Sequence, residues 1–152
     1  MIEAADPAEG ELLMAARRSV LTALDALGTT MIDDICVPRS RLAELMTGVE
    51  KIAAEVGLTI GLPGHAGDGN MHPTVVFDAA DPDQVRRAEQ SFSDIMRLGL
   101  ELGGTITGEH GVGMLKRDWL VRDIGPVSLG VHRAIKNALD PSGLMNPGKV
   151  FA

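Results

Sequence analysis

Apolar residues recur along this chain with two different periods, and the switches between them lay out its elements. Over residues 10–27, Leu12, Leu13, Ala16, Val20, Leu24 and Leu27 fall at helical spacing and Gly28 supplies a stop. Residues 31–37 read as a strand closed by Pro38. Ser40 then stands as N-cap of a helix whose Leu42, Leu45, Met46, Val49, Ile52, Ala53 and Val56 form one apolar stripe, ended by Gly57. An apolar run over 58–62 enters a glycine-rich stretch and a second, over 74–77, leaves it. Asp81-Pro82-Asp83-Gln84 opens another helix, with a cap, a proline at the first helical position and a capping-box-like glutamine. That helix buries Val85, Ala88, Phe92, Ile95, Met96 and Leu102 before Gly103-Gly104 breaks it. A short strand over 105–107 follows, then a short helix over 114–122 and a last one from Pro126 to Leu139. The tail after Pro141 is too rich in Gly and Pro to be regular and too apolar to float in water, so it should lie against something.

From 31 to 107 the order is strand, helix, strand, strand, helix, strand. This is the order of the ferredoxin-like α+β fold, an antiparallel sheet with helices on one face, here with extra helices at the N- and C-terminal ends. The other face of the sheet is left for a partner, and its exposure would make self-association into a homo-oligomer unsurprising. At 152 residues the chain holds one domain with a real core.

Composition removes several classes of function. A net charge of −7 argues against nucleic acid, whose phosphates need a basic footprint. With no Tyr, one Trp and three Phe there are no platforms for base stacking either. No apolar run has the length of a membrane span. Glu3, Asp6 and Glu9 at the start are incompatible with a secretory signal. One cysteine, Cys36, excludes an internal disulfide and fits a reducing compartment, so the expected location is the cytoplasm, with at most a peripheral membrane contact.

The candidate chemistry sits in two glycine-rich stretches, Gly64-His65-Ala66-Gly67-Asp68-Gly69-Asn70-Met71-His72 and Thr107-Gly108-Glu109-His110-Gly111-Val112-Gly113, which hold three of the four histidines. Asp68-Gly69 is a favoured two-residue hairpin turn. That turn would pair Gly67 with Asn70, Ala66 with Met71 and His65 with His72, placing two imidazoles opposite each other with Cβ atoms about 4.5–5.5 Å apart. Such a pair suits a divalent ion. Asn70 shares the face of His72. Glu109 could add a hard oxygen ligand, and His110, pointing elsewhere in extended backbone, would be free to act as a base. The plain alternative is a polar hairpin with two surface histidines and a charged glycine loop. The topology also raises a conflict, because an ideal last strand would deliver Glu109 to the end of the sheet away from the hairpin, about 17–20 Å off. Either the site lies on the open face, or the last strand is placed differently, or the triad does not form.

GHAGDGNMHP, GGTITGEHGVGMLKRDWL and IKNALDPSGLMNPGKVF, in that order, resemble the C-terminal cap domain of FAD-linked oxidases of the vanillyl-alcohol oxidase type. Within that group they are most similar to the D-lactate dehydrogenase, glycolate oxidase large-subunit and D-2-hydroxyglutarate dehydrogenase branch. Leu13 to Arg18 and Asp33-Asp34-Ile35-Cys36-Val37-Pro38 resemble earlier cap segments, so the likeness covers nearly the whole chain. The family's N-terminal FAD-binding domain, and the first part of the cap, have no counterpart in the sequence.

The resemblance implies that residues 1–152 are the C-terminal part of a substrate cap, working with a separate FAD-binding domain or flavoprotein subunit. It implies oxidation of a small 2-hydroxy acid, of D-lactate or glycolate type, to a 2-oxo acid. His65, His72 and Glu109 become ligands of a divalent metal (Zn, Fe or Mn) and His110 the base at the substrate hydroxyl. Arg17 and Asn70 become substrate contacts, while Asn146 and Lys149 sit in the tail that returns to flavin and substrate. A second cationic clamp, in some members a lysine shortly before the strand at Ile35, is missing, which implies a monocarboxylate. A non-catalytic metal-binding or docking module, and a non-redox member of the superfamily, are the competing readings.

Overall fold

The computed structural model describes residues 4–151. Helix α1 spans Pro7–Asp25, with Asp6 as N-cap accepting from the backbone N–H of Glu9. Strands β1 (Thr29–Ile32) and β2 (Ile35–Cys36) follow, then a 3-10 turn at Arg39–Arg41 and helix α2 (Leu42–Val56). The cap expected at Ser40 does not form. Ser40 lies inside the 3-10 turn, which runs directly into α2 without a side-chain cap. Gly57 closes α2 in the left-handed conformation, as expected. Strands β3 (Thr59–Gly61), β4 (Gly64–His65), β5 (Asn70–Met71) and β6 (Thr74–Phe77) precede α3 (Pro82–Glu101), and α4 covers Arg117–Leu139 with a break at Gly125-Pro126.

The six short strands form two three-stranded antiparallel sheets, β1-β6-β3 and β2-β5-β4. Their registers show that these are two halves of one cracked sheet. Thr29 pairs with Phe77 and Ile35 with Met71, so counting from either half sets Asp33 across from Pro73 and Asp34 across from His72. Thr59 pairs with Val76 and Gly64 with Met71, which likewise sets Pro63 across from His72. The prolines explain the crack. Asp33 donates to the Pro73 carbonyl (2.8 Å) and His72 to the Pro63 carbonyl (2.7 Å), but neither proline has an N–H to return the bond. The single strand expected over 31–37 is therefore two pieces, parted at Asp33-Asp34.

A fourth strand is reduced to one bridge, Thr105 with Cys36, antiparallel. The spatial order of strand segments, with the 105 segment beside β1/β2, then β5/β6, then β3/β4, is the ferredoxin-like order, and the fold is α+β as the alternation of elements predicts.

Alternation of side chains assigns the two faces. Ile35, Val37, Met71 and Val75 point to the side covered by α2 and α3, where Leu45, Val49 and Ile95 complete a buried core. Each such aliphatic side chain contributes about 1.5–3 kcal/mol by leaving water. Ile32, Asp34, Asn70, His72 and His65 point to the opposite, open face. That face is not wholly free. Helix α1 lies across it, with Leu24 packed so closely over Gly61 that a Cβ there would stand 2.6 Å from its Cδ1. No residue of α1 is buried.

Candidate active site

The hairpin between β4 and β5 departs from the expected geometry. His65 pairs with Asn70 and Gly64 with Met71, so the turn contains four residues, 66–69, and His65 is not opposite His72. Gly69 adopts φ 81° and passes so close to Val37 that a Cβ would lie 2.1 Å from its carbonyl oxygen. This contact, with Val37 N–H donating to the Gly69 carbonyl (3.0 Å), draws the turn wider than two residues. The partner of His65 moves by two positions, an even number, so the faces survive. His65 and His72 become diagonal neighbours with ring centroids 5.3 Å apart.

Glu109 reaches both. Its Oε1 lies 3.3 Å from His65 Nε2 and 3.1 Å from His72 Nε2. The predicted conflict is resolved because the last strand stops after one bridge, at the level of the crack, and the site lies on the open face. The chain then curls around the buried carboxylate of Asp34. Its Oδ2 accepts from the Thr107 hydroxyl (2.7 Å) and from the backbone N–H groups of Gly108 (2.9 Å), Glu109 (3.0 Å) and His110 (2.8 Å). Gly108 fits under this curl because a Cβ would press on the Asn70 amide at 2.5 Å.

Curled backbone also corrects the expectation for His110. Its side chain does not diverge from Glu109, and its ring stacks on His72 at 4.7 Å between centroids and 5° between planes. Two sets of potential ligand atoms, each within 4.8 Å of one another, therefore share His72: His65, His72 and Glu109, and Asp34, His72 and His110.

Buried groups that sequence reasoning missed hold this arrangement. Lys116, within the short helix expected over 114–122, is buried and donates to the carbonyls of Asp34 (2.7 Å) and Ile106 (2.8 Å), with Asp33 Oδ1 at 3.3 Å. The signal for Asp33 and Asp34 was an acidic pair inside an apolar strand, which is stable only if each charge is partnered. Burial raises the Asp34 pKa, but the Thr107 hydroxyl, the His110 and Glu109 N–H groups and Lys116 outweigh it and bring it to about 2. Asp33 goes the other way, raised by burial to about 6 despite Lys116. A raised acid holds a proton in the folded chain that the unfolded chain releases, so its contribution is full below about pH 4 and is lost as pH rises through 6. Between pH 4 and 7 the metal-free wild type is expected to lose about 3 kcal/mol relative to Asp33→Asn. Parallel urea midpoints for the two proteins across that range would contradict this.

His65, His72, Glu109 and His110 line a cavity of about 770 Å³ that is roofed by α1 through Arg17, Arg18 and Leu21. Arg17 donates to His65 Nδ1 (3.3 Å), which leaves His65 Nε2–H facing Glu109. Asn70 is buried behind His65 and borders a separate cavity of about 350 Å³ with Cys36 and Asp68. Asn146 and Lys149 lie in the tail, outside both cavities. That tail packs back through Val150, whose N–H donates to Gly113 (2.8 Å), and Lys149 Nζ reaches Met114 Sδ. Burial and the neighbouring His110 lower the His72 pKa, which favours the neutral imidazole a metal requires.

These features belong to a known class: residues 1–150 match the family described as FAD linked oxidases, C-terminal domain, and the chain belongs to it. Among curated proteins it is 45% identical to the glycolate oxidase subunit GlcD of Bacillus subtilis, over 95% of this chain and 31% of that protein. It is 41% identical to a probable mitochondrial D-lactate dehydrogenase of Danio rerio, over 78% of this chain and 24% of that protein. The chain thus spans less than a third of the length of these relatives. Of solved structures, 4-ethylphenol oxidase from Gulosibacter chungangensis superposes with a TM-score of 0.69 at 20% identity, over 96% of this chain and 31% of its own. p-Cresol methylhydroxylase gives 0.61 at 18%, over 80% and 24%. At those identities the structures establish the shared fold alone. No helix among the described residues is long and apolar enough to cross a membrane.

Proposed function

We propose that this chain is the substrate- and metal-binding cap of a flavin-dependent dehydrogenase that oxidises a 2-hydroxy acid of D-lactate or glycolate type to the 2-oxo acid, the flavin being held mainly by a separate domain or subunit. The observation that carries this reading is the convergence of His65, His72 and Glu109 on one point of the cavity wall, with His110 beside them.

The donor set fits a divalent metal. Two imidazoles and one carboxylate offer nitrogen and oxygen suited to Zn, Fe or Mn. Ligation through His65 Nε2 requires its hydrogen to sit on Nδ1 and Arg17 to give up that contact. A divalent ion there would acidify the substrate hydroxyl and fix its direction. Flavin would accept the hydride from C2.

The chain's own residues do the rest. Arg17, once released from His65, offers both oxygens of the substrate carboxylate its guanidinium fork. His110, on the cavity wall and half-exposed, takes the hydroxyl proton as general base. Arg18, the second guanidinium on the wall, is paired with Glu11, and Leu21 and Ile32 add aliphatic surface, which supports a monocarboxylate. Asn70, Asn146 and Lys149 complete the proposed contacts to substrate and flavin once the flavin-bearing part covers this face.

With its flavin-bearing partner present, glycolate or D-lactate is expected to bleach the flavin absorbance and release an equivalent of 2-oxo acid, while the chain alone turns over neither. Turnover without a flavoprotein, or a flavin that no 2-hydroxy acid reduces, would overturn the proposal.

A further inference from the structure

The geometry points to Asp34 as a positioning residue that sets the His72 tautomer with one carboxylate oxygen while gathering the Glu109 loop with the other. This deepens the metal-binding reading above and rests on it for its functional meaning, but its structural content is independent of any ion.

The two oxygens of Asp34 are used very differently. Oδ2 takes four hydrogen bonds from residues 107–110. Oδ1 is buried and has no hydrogen-bond partner, and His72 Nδ1 lies 3.7 Å from it. That nitrogen is itself buried and unpartnered. Two buried, orphaned groups facing each other carry a cost that one hydrogen bond removes. A carboxylate can only accept, so the bond exists only if Nδ1 carries the hydrogen.

The competing tautomer would put the hydrogen on Nε2, facing Glu109. Glu109 is half-exposed, so water can satisfy its carboxylate, whereas nothing else reaches Asp34 Oδ1. The desolvated partner therefore decides, and the Nε2 lone pair is turned toward His65 and Glu109. The same carboxylate fixes Glu109 through its backbone. One buried side chain thus sets two of the three proposed ligands, the arrangement by which an outer carboxylate orients a metal-binding histidine.

Asp34→Asn gives a sharp test because its orientation is forced. The amide oxygen must stay with the four donors of the loop, so the NH2 group faces His72 Nδ1 and can only donate to it. His72 then becomes an Nδ1 acceptor with hydrogen on Nε2. Long-range 1H–15N correlation spectra of the metal-free, histidine-labelled chain are expected to show His72 as the Nδ1–H tautomer in wild type and as Nε2–H in Asp34→Asn. Affinity for Zn²⁺ should fall about 10–100-fold in the variant. Thr107→Val, which removes one loop bond and leaves Oδ1 untouched, should loosen the loop without changing the tautomer.

The wild-type tautomer is read without any substitution, so a variant that fails to fold does not shelter the inference. An Nε2–H wild type, or a tautomer that does not change in Asp34→Asn, overturns it. Two Zn²⁺ per wild-type chain with one lost in Asp34→Asn also overturns it, since Asp34 would then be a ligand beside His72 and His110. A tautomer switch with no Zn²⁺ bound to either protein supports Asp34 as the orienting group and refutes the metal reading instead.

Discussion

Replacing His110 with alanine is expected to leave the bound ion in place and to lower turnover about 100- to 10,000-fold, the usual contribution of a positioned general base. His65→Ala is expected to abolish both, because it removes one of three ligands. The contrast matters because His110 stacks on His72 and lies in the second potential ligand set with Asp34. Metal content and turnover measured on the same preparations separate the roles. If His110→Ala loses the ion along with activity, the imidazole is a ligand and the chain needs another base. If it keeps both, His110 is a bystander and the chemistry proposed for it fails.

Lys116→Met is expected to be the most damaging change outside the cavity. The ammonium is buried against Asp33 and caps two carbonyls, on either side of the crack and the loop. Its removal leaves acceptors buried without a donor, which costs about 3–5 kcal/mol when a partnered charge is broken. For a chain of this size that corresponds to a fall of roughly 6–20 °C in melting temperature. Because Ile106 leads into the loop that presents Glu109, metal affinity should weaken in the same variant. A melting temperature within about 2 °C of wild type would show that the buried pair contributes little.

Local signals were read well where the physics is local. The Asp81 cap is an example: its carboxylate accepts from the N–H groups of Asp83 and Gln84, and the Gln84 amide reaches back to it at 3.1 Å. Gly57 and the Gly125-Pro126 break likewise follow from backbone freedom and ring geometry written in single residues. The hairpin shows the limit. Asp-Gly fits a two-residue or a four-residue turn, and what selected the longer one was contact with Val37, some thirty positions away in the chain. The facing of the histidines survived only because the slip was even.

The prolines at 63 and 73 were visible, yet their joint effect, one crack crossing three strands, depends on a register that a sequence does not state. Asp34 and Lys116 lay furthest from view. Asp34 gathers donors 73 to 76 residues further on and Lys116 reaches back 82 residues to the Asp34 carbonyl, so their roles exist only after folding.

Diffraction from crystals soaked in Zn²⁺ or Mn²⁺, collected at the absorption edge of the metal, tests the central claim most directly. The account predicts a single anomalous peak about 2.0–2.2 Å from Nε2 of His65, Nε2 of His72 and Oε1 of Glu109. No peak at that point, with the ion scattered over surface carboxylates, would contradict it.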